Sequence, residues 1–114
     1  MSKDLVKKIC MALAEKKADN IKIVHIQGMS DLADYFVICS GRSIPQVKAI
    51  LQNLEEKLEA EEIFAKRKDG VGEGRWVALD YIDVIVHIFH KDVREVYQLD
   101  KLWSNGLNVT DYED

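Results

Sequence analysis

Two aspartates, Asp80 and Asp83, come nearest in this 114-residue chain to a pair that could do catalytic chemistry. Enzymes that transfer nucleotidyl groups hold two metal ions between carboxylates on one side of a strand. Because side chains alternate along a strand, a spacing of three residues sends the carboxylates to opposite faces. A turn between them would leave their geometry open. Asp31 and Asp34 have the same spacing, so neither pair predicts a two-metal site.

The histidines and serines make no stronger case for catalysis. His87 and His90 are three residues apart on one apolar run, which again places them on opposite faces of a strand. Residues 40–43 (S-G-R-S) precede a helix, whose free N–H groups can bind an anion, but a phosphate-binding loop has more glycines and a lysine. We therefore predict no catalytic residue, no metal and no cofactor. A nucleotide-binding or nucleotidyltransferase-like enzyme remains the alternative.

Hydrophobic periodicity predicts the helices that frame these residues. Apolar side chains recur at helical spacing over residues 3–18, and again from a start at Ser43 to about residue 61. Ser43 and Gln46 form a capping box, and Pro45 suits the first turn of a helix. Short helices from 91 to 103 should dock on the domain, with Leu99, Leu102 and Trp103 in the core.

Five apolar runs predict strands. They cover residues 21–26, 35–40, 63–68, 76–80 and 83–90. The resulting order, α-β-β-α-β-β-β-α, predicts an α/β (α+β) fold with one five-stranded mixed sheet flanked by helices. We place a single domain at residues 1–104 and an acidic, mobile tail at 105–114.

Composition narrows the class of partner. The formal net charge is −4, which opposes binding to bare phosphate backbones and suits a basic protein. The one basic cluster, Lys66-Arg67-Lys68, is short and is followed by Asp69, so a direct RNA contact is the weaker alternative.

Cys10 and Cys39 lie singly in apolar stretches, which predicts two buried thiols. No run reaches the roughly 20 apolar residues of a membrane span, and we expect a cytoplasmic protein.

Two motifs carry a resemblance to a known family. W-x-x-x-D-x-x-D-V-x-V-H begins at Trp76, and Y-x-L-x-x-L-W begins at Tyr97. Together with D-Y-F-V-I-C-S-G-R-S from Asp34, they resemble the ribosomal silencing factor (RsfS, Iojap-like) family over residues 3–103.

The resemblance implies a translation regulator that is not an enzyme. Family members bind the large ribosomal subunit through its ribosomal protein L-fourteen and block joining of the small subunit when nutrients are scarce. The implied fold has a nucleotidyltransferase-like layout without catalytic carboxylates. The resemblance also implies a homodimer off the ribosome, whereas composition and charge predict neither a membrane nor a sequence-specific nucleic acid as partner.

The predicted partner-binding residues lie within the first of these motifs. They are Trp76, Leu79, Asp80, Tyr81, Ile82 and Asp83. Aromatic side chains bury large areas at small entropic cost, and the aspartates could pair with lysine or arginine. Strand alternation puts Trp76 and Asp80 on one face and Leu79 and Tyr81 on the other, so Leu79 could equally belong to the core. Ile82 stands where relatives commonly have glycine, which predicts an unusual or longer turn.

Overall fold

The structure is a computed structural model that describes residues 2–113. Two amphipathic helices form one of its layers. Met1 and Asp114, which belong to the predicted domain and tail, lie outside the described residues. None of the described helices is long and apolar enough to span a membrane. The two layer-forming helices are α1 (Ser2–Glu15) and α2 (Ile44–Glu59).

Helix α2 begins where the sequence predicts it. The Ser43 hydroxyl accepts a hydrogen bond from the Gln46 N–H at 3.2 Å, and the Gln46 side-chain oxygen accepts one from the Arg42 N–H at 2.7 Å. Pro45 lies in the first turn, where its missing N–H costs nothing. The first of these bonds satisfies one of the N–H donors that a helix start leaves free.

Six strands form one mixed sheet. The strands are β1 (Asp19–His25), β2 (Tyr35–Gly41), β3 (Arg67–Asp69), β4 (Trp76–Asp80), β5 (Val84–His90) and β6 (Val109–Asp111). They lie in the order β3-β4-β5-β2-β1-β6. Strands β2 and β5 are parallel, and the other neighbours are antiparallel. The predicted fold class is confirmed.

The number of strands corrects the sequence analysis, which predicted five. Part of the expected tail forms β6, which pairs with β1. This pairing places the Asp111 carboxylate beside the Lys22 ammonium, with 2.6 Å between Oδ1 and Nζ. A three-residue strand, V-T-D, has too little pattern to be recognised, because its stability comes from pairing with a neighbour distant in sequence. Strand β3 is also shorter than predicted and begins at Arg67.

The sheet separates two apolar clusters. The larger lies between the sheet and helices α1 and α2, and includes Val37, Leu79 and Val86. The smaller lies on the opposite face and includes Ile38 and Phe89. Because β2 contributes to both clusters, it is the central strand that its continuous apolar run predicts.

Two short helices at the C-terminal end cover part of the smaller cluster. They are α3 (Lys91–Tyr97) and α4 (Leu99–Leu102). Leu99 and Trp103 pack against the cluster, as predicted. The prediction for Leu102 is wrong, since 73% of this residue is exposed. A four-residue helix turns only one side toward the sheet.

Arg94 fastens α3 to the sheet from within. Its side chain is buried, and Nη1 donates to the Asp19 carbonyl and to the Ser40 hydroxyl, both at 3.3 Å.

Cys10 and Cys39 are buried and unpaired, as predicted. Burial raises the pKa of each thiol to about 12, so neither supplies a reactive thiolate at neutral pH.

Candidate functional site

Strand β4 divides the predicted contact residues between the two faces of the sheet. Leu79 points toward α1 and α2 and is 0% exposed. Trp76 and Asp80 point the other way and are half-buried. The prediction that Leu79 contacts a partner is therefore not supported, because the alternation of side chains along a strand carries it into the core.

Tyr81 follows Leu79 into the helix-side cluster, and 6% of the residue is exposed. Burial, assisted by the nearby carboxylates of Glu55 and Glu59, raises the pKa of the phenol well above its usual value. Tyr81 is thus a neutral core residue that supports the end of β4. As a direct contact residue it is not supported either, which leaves Trp76, Asp80, Ile82 and Asp83 of the predicted set.

Trp76 is held by its neighbours on three sides. Its indole Nε1–H donates to His87 Nδ1 at 3.1 Å. Its ring stacks on Phe89 with 4.9 Å between centroids, and Tyr97 lies 4.8 Å away at a tilt of 43°. The side chain remains half-buried, so part of an ordered aromatic surface faces solvent.

The turn between β4 and β5 is the strained part of the site. Ile82 has a φ of +73° and 64% of it is exposed. The Asp83 N–H donates to the Tyr81 carbonyl at 2.9 Å, which makes a γ-turn centred on Ile82. Asp80 Oδ1 accepts the Ile82 N–H at 2.8 Å and supports this conformation. The expectation of an unusual or longer turn is confirmed, since three residues, 81–83, separate β4 from β5 and the middle one has a positive φ.

The structure adds a neighbour that the sequence analysis missed. The connection between β1 and β2 ends beside the turn, since the N–H groups of Asp34 and Tyr35 both donate to the Asp83 carbonyl, at 2.8 and 3.1 Å. This connection exposes Met29 and Leu32. In the sequence, this segment could have been recognised by its two large apolar side chains within a polar loop. Its position beside the turn follows from the parallel pairing of β2 with β5.

Together these residues form one surface on the side of the sheet that α1 and α2 leave open. The surface runs along β4 for roughly 13 Å from its first to its last residue. We call it the contact face, and its half-buried or exposed members are Trp76, Ala78, Asp80, Ile82, Asp83 and Ile85.

A cleft of about 470 Å³ adjoins the Trp76 end of the contact face. It separates the loop before β4 from helix α3. Its lining residues are Gly70, Glu73, Arg75, Trp76, Asp92, Val93, Val96 and Tyr97. Val96 and Tyr97 are exposed although they are large and apolar. Exposed apolar side chains grouped in this way are typical of a protein-binding surface.

The geometry offers little to a nucleotide or a metal ion. Within residues 2–113, no three His, Cys, Asp or Glu side chains converge closely enough to hold a metal. At the S-G-R-S junction, the Ser40 hydroxyl bonds the Asp19 carbonyl and Arg42 pairs with the Asp19 carboxylate at 3.0 Å. In the basic cluster, Lys68 is paired with Glu55 at 2.8 Å. These groups are engaged within the fold.

Comparison with known proteins decides the family. The family model described as "Ribosomal silencing factor during starvation" matches residues 1–114. The chain belongs to the ribosomal silencing factor family. It is 41% identical over 104 residues to the ribosomal silencing factor RsfS of Bacillus subtilis, covering 91% of this chain and 88% of that protein. The predicted resemblance is confirmed.

Solved structures agree with this assignment. A crystal structure from Bacillus halodurans superposes with a TM-score of 0.84 at 36% identity, and covers 96% of this chain and 99% of that one.

A more distant relative, 26% identical over 95 residues, is the mouse protein named for mitochondrial assembly of the ribosomal large subunit, of which 42% is matched. The family is named for silencing ribosomes, which confirms the prediction that the chain is not an enzyme.

Proposed function

We propose that this ribosomal silencing factor binds the large ribosomal subunit through the contact face and so keeps the small subunit from joining it. The observation that supports the surface is a single strand, β4, with an ordered half-buried tryptophan at one end and an exposed isoleucine beyond the other. Large apolar side chains on a polar rim are typical of binding hot spots. Family membership supports the ribosome as the target.

The partner within the subunit, on this proposal, is ribosomal protein L-fourteen. The chain carries a formal net charge of −4, and the contact face contributes Asp80 and Asp83. One oxygen of Asp80 is engaged with the Ile82 N–H, so Asp83, which is exposed, is the better placed of the two to pair with a basic side chain. Complementary charge would speed association and exclude acidic partners.

Size explains how binding could silence the ribosome. The domain extends 33 × 33 × 27 Å with a radius of gyration of 12.7 Å. Contacts between subunits require surfaces to approach within a few ångströms, so a body of this size on the joining surface is a sufficient obstacle. A specific complex needs about 800 Å² buried on each partner, which the contact face and its cleft could supply together.

Sedimentation with purified large subunits tests the proposal. The wild-type chain should co-migrate with large subunits and reduce their re-association with small subunits. An Asp83→Lys variant should bind about tenfold more weakly, because it reverses one charge at the interface. Glu59→Lys makes the same change of charge on α2, in the opposite layer, and should bind like wild type. Absence of co-migration by the wild-type chain would overturn the proposal.

Ile82 provides a test of the apolar part of the surface. An Ile82→Ser variant removes the exposed apolar group from the turn and should weaken binding to large subunits. Unchanged affinity would exclude Ile82 from the interface while leaving Trp76 and Asp83 in place.

The place of action and the free state complete the proposal. A protein that acts on assembled large subunits of a bacterial type would work in the cytoplasm. Self-association off the ribosome stays a prediction. Sedimentation equilibrium of the free protein across concentrations checks it, and a constant monomer mass would contradict it.

A further inference from the structure

His87 sits beneath the contact face and makes one side-chain hydrogen bond within the described residues. It lies on β5 and is 8% exposed. Its Nδ1 accepts the Trp76 indole N–H at 3.1 Å. The Phe36 ring stands edge-on to it, with 5.0 Å between centroids. The imidazole is thus enclosed by aromatic side chains and directed at Trp76.

The imidazole is neutral at physiological pH. Burial lowers the pKa of His87 to about 4. Because Nδ1 accepts from Trp76, the neutral ring carries its proton on Nε2. A charged ring would place a second proton on Nδ1, facing the indole N–H, and the bond could not form. The neutral tautomer is therefore the one that fits this geometry.

The second ring nitrogen of His87 makes no hydrogen bond that would stabilise the described part of the fold. Nε2 is buried and has no hydrogen-bond partner within residues 2–113. A buried donor without an acceptor destabilises the folded state, and an apolar side chain of similar volume would avoid that penalty. What leucine could not do at this position is accept a hydrogen bond from Trp76.

The hydrogen bond to His87 determines the orientation of the Trp76 indole, which ring stacking alone does not. Phe89 and Tyr97 contact the Trp76 ring, but such ring contacts do not distinguish two indole orientations that differ by a half-turn about χ2 and share one ring plane. A bond to Nε1–H selects one orientation.

We propose that His87 is a positioning residue that holds the Trp76 indole in the orientation in which the contact face meets its partner. This inference rests on the proposed function and adds the requirement that the acceptor at position 87 matters for binding. His87→Leu removes the acceptor. His87→Asn keeps one, because the asparagine Oδ1 branches from the side chain where Nδ1 does.

NMR of the free protein tests the orientation without the ribosome. The indole N–H resonance that is missing in Trp76→Phe identifies Trp76 and separates it from Trp103. In His87→Leu this resonance should move upfield, as expected when a hydrogen bond is lost, and in His87→Asn it should stay close to wild type. An unmoved resonance in His87→Leu would overturn the inference whatever the ribosome does.

Binding to purified large subunits, with unfolding by urea in parallel, completes the test. His87→Leu should bind about tenfold more weakly while unfolding at the same or a higher urea concentration, and His87→Asn should bind nearly as well as wild type. Phe36→Leu, which alters packing on His87 without removing the acceptor, is the matched control and should bind normally. If His87→Leu fails to fold, the comparison passes to His87→Gln, whose acceptor lies one bond further out and should not rescue binding.

The outcomes separate the inference from the proposed function. Wild-type chain that does not bind large subunits would overturn the proposed function. Binding by wild type that is lost in Trp76→Ala but kept in His87→Leu would overturn the inference alone. Binding that is kept in His87→Asn and weakened in His87→Leu supports both the inference and the proposed function.

Discussion

The γ-turn at Ile82 allows a sharp test, because it predicts a reversal of a general rule. At ordinary positions glycine destabilises a protein relative to alanine by roughly 0.5–1 kcal/mol, since it loses more backbone freedom on folding. At a φ of +73° the order should reverse. An L-residue in the left-handed region pays about 1–2 kcal/mol for the clash of its Cβ, and glycine does not.

The comparison is therefore Ile82→Gly against Ile82→Ala. Both variants lose the isoleucine side chain, which is 64% exposed and contributes little burial. Subtracting the entropic cost of glycine from the relief of strain leaves Ile82→Gly more stable than Ile82→Ala by about 1 kcal/mol. In a domain of about 100 residues this corresponds to a Tm difference of roughly 4–8 °C.

Urea unfolding followed by circular dichroism measures the difference. Ala49→Gly is the matched control, because Ala49 is exposed within α2 and its replacement should cost about 1 kcal/mol. If Ile82→Gly proves less stable than Ile82→Ala, as at the helical site, the turn does not store strain. Ile82 would then not adopt the positive φ in the folded protein.

Three further outcomes follow from burial and pairing. Cys10 and Cys39 should not react with a thiol reagent in the native protein, and both should react in urea; a fast-reacting native thiol would contradict their burial. The folded pKa of His87 is about 4, below the usual 6.5, so its contribution to stability is complete above pH 6.5 and is lost as pH falls toward 4. The free energy of unfolding should drop by up to about 3 kcal/mol over that window, and a drop as steep in His87→Leu would exclude His87 as its source. Deleting residues 109–113 removes β6 and should destabilise the domain by about 2 kcal/mol, whereas no change would indicate that this segment is a mobile tail after all.

Local patterns were enough for much of the fold and for the family. Ser43, Pro45 and Gln46 mark the start of α2 by chemistry contained within four residues, and the structure places the cap there. Alternation along β4 is likewise enough to separate Trp76 and Asp80 from Leu79 and Tyr81. Each of these inferences depends on neighbours close in sequence.

The candidate site needed contacts between residues far apart in sequence. Strand periodicity says that Trp76 and Leu79 face opposite ways, but only the packing of α1 and α2 decides that the face of Leu79 is the buried one. The hydrogen bond from Trp76 to His87 joins two strands, and its consequence for the charge of His87 depends on the aromatic side chains that enclose it.

The aspartates of the hairpin show the same division between sequence and structure. The sequence by itself predicted no shared metal at Asp80 and Asp83, because their spacing is odd for a strand and a turn between them left their geometry open. Tertiary structure decided their roles: Asp80 supports a strained turn, and the Asp83 carbonyl anchors that turn to the start of β2 while its side chain stays exposed. The physical reason is that spacing along the chain constrains direction, whereas burial and hydrogen-bond partners come from elements that only the folded sheet brings together.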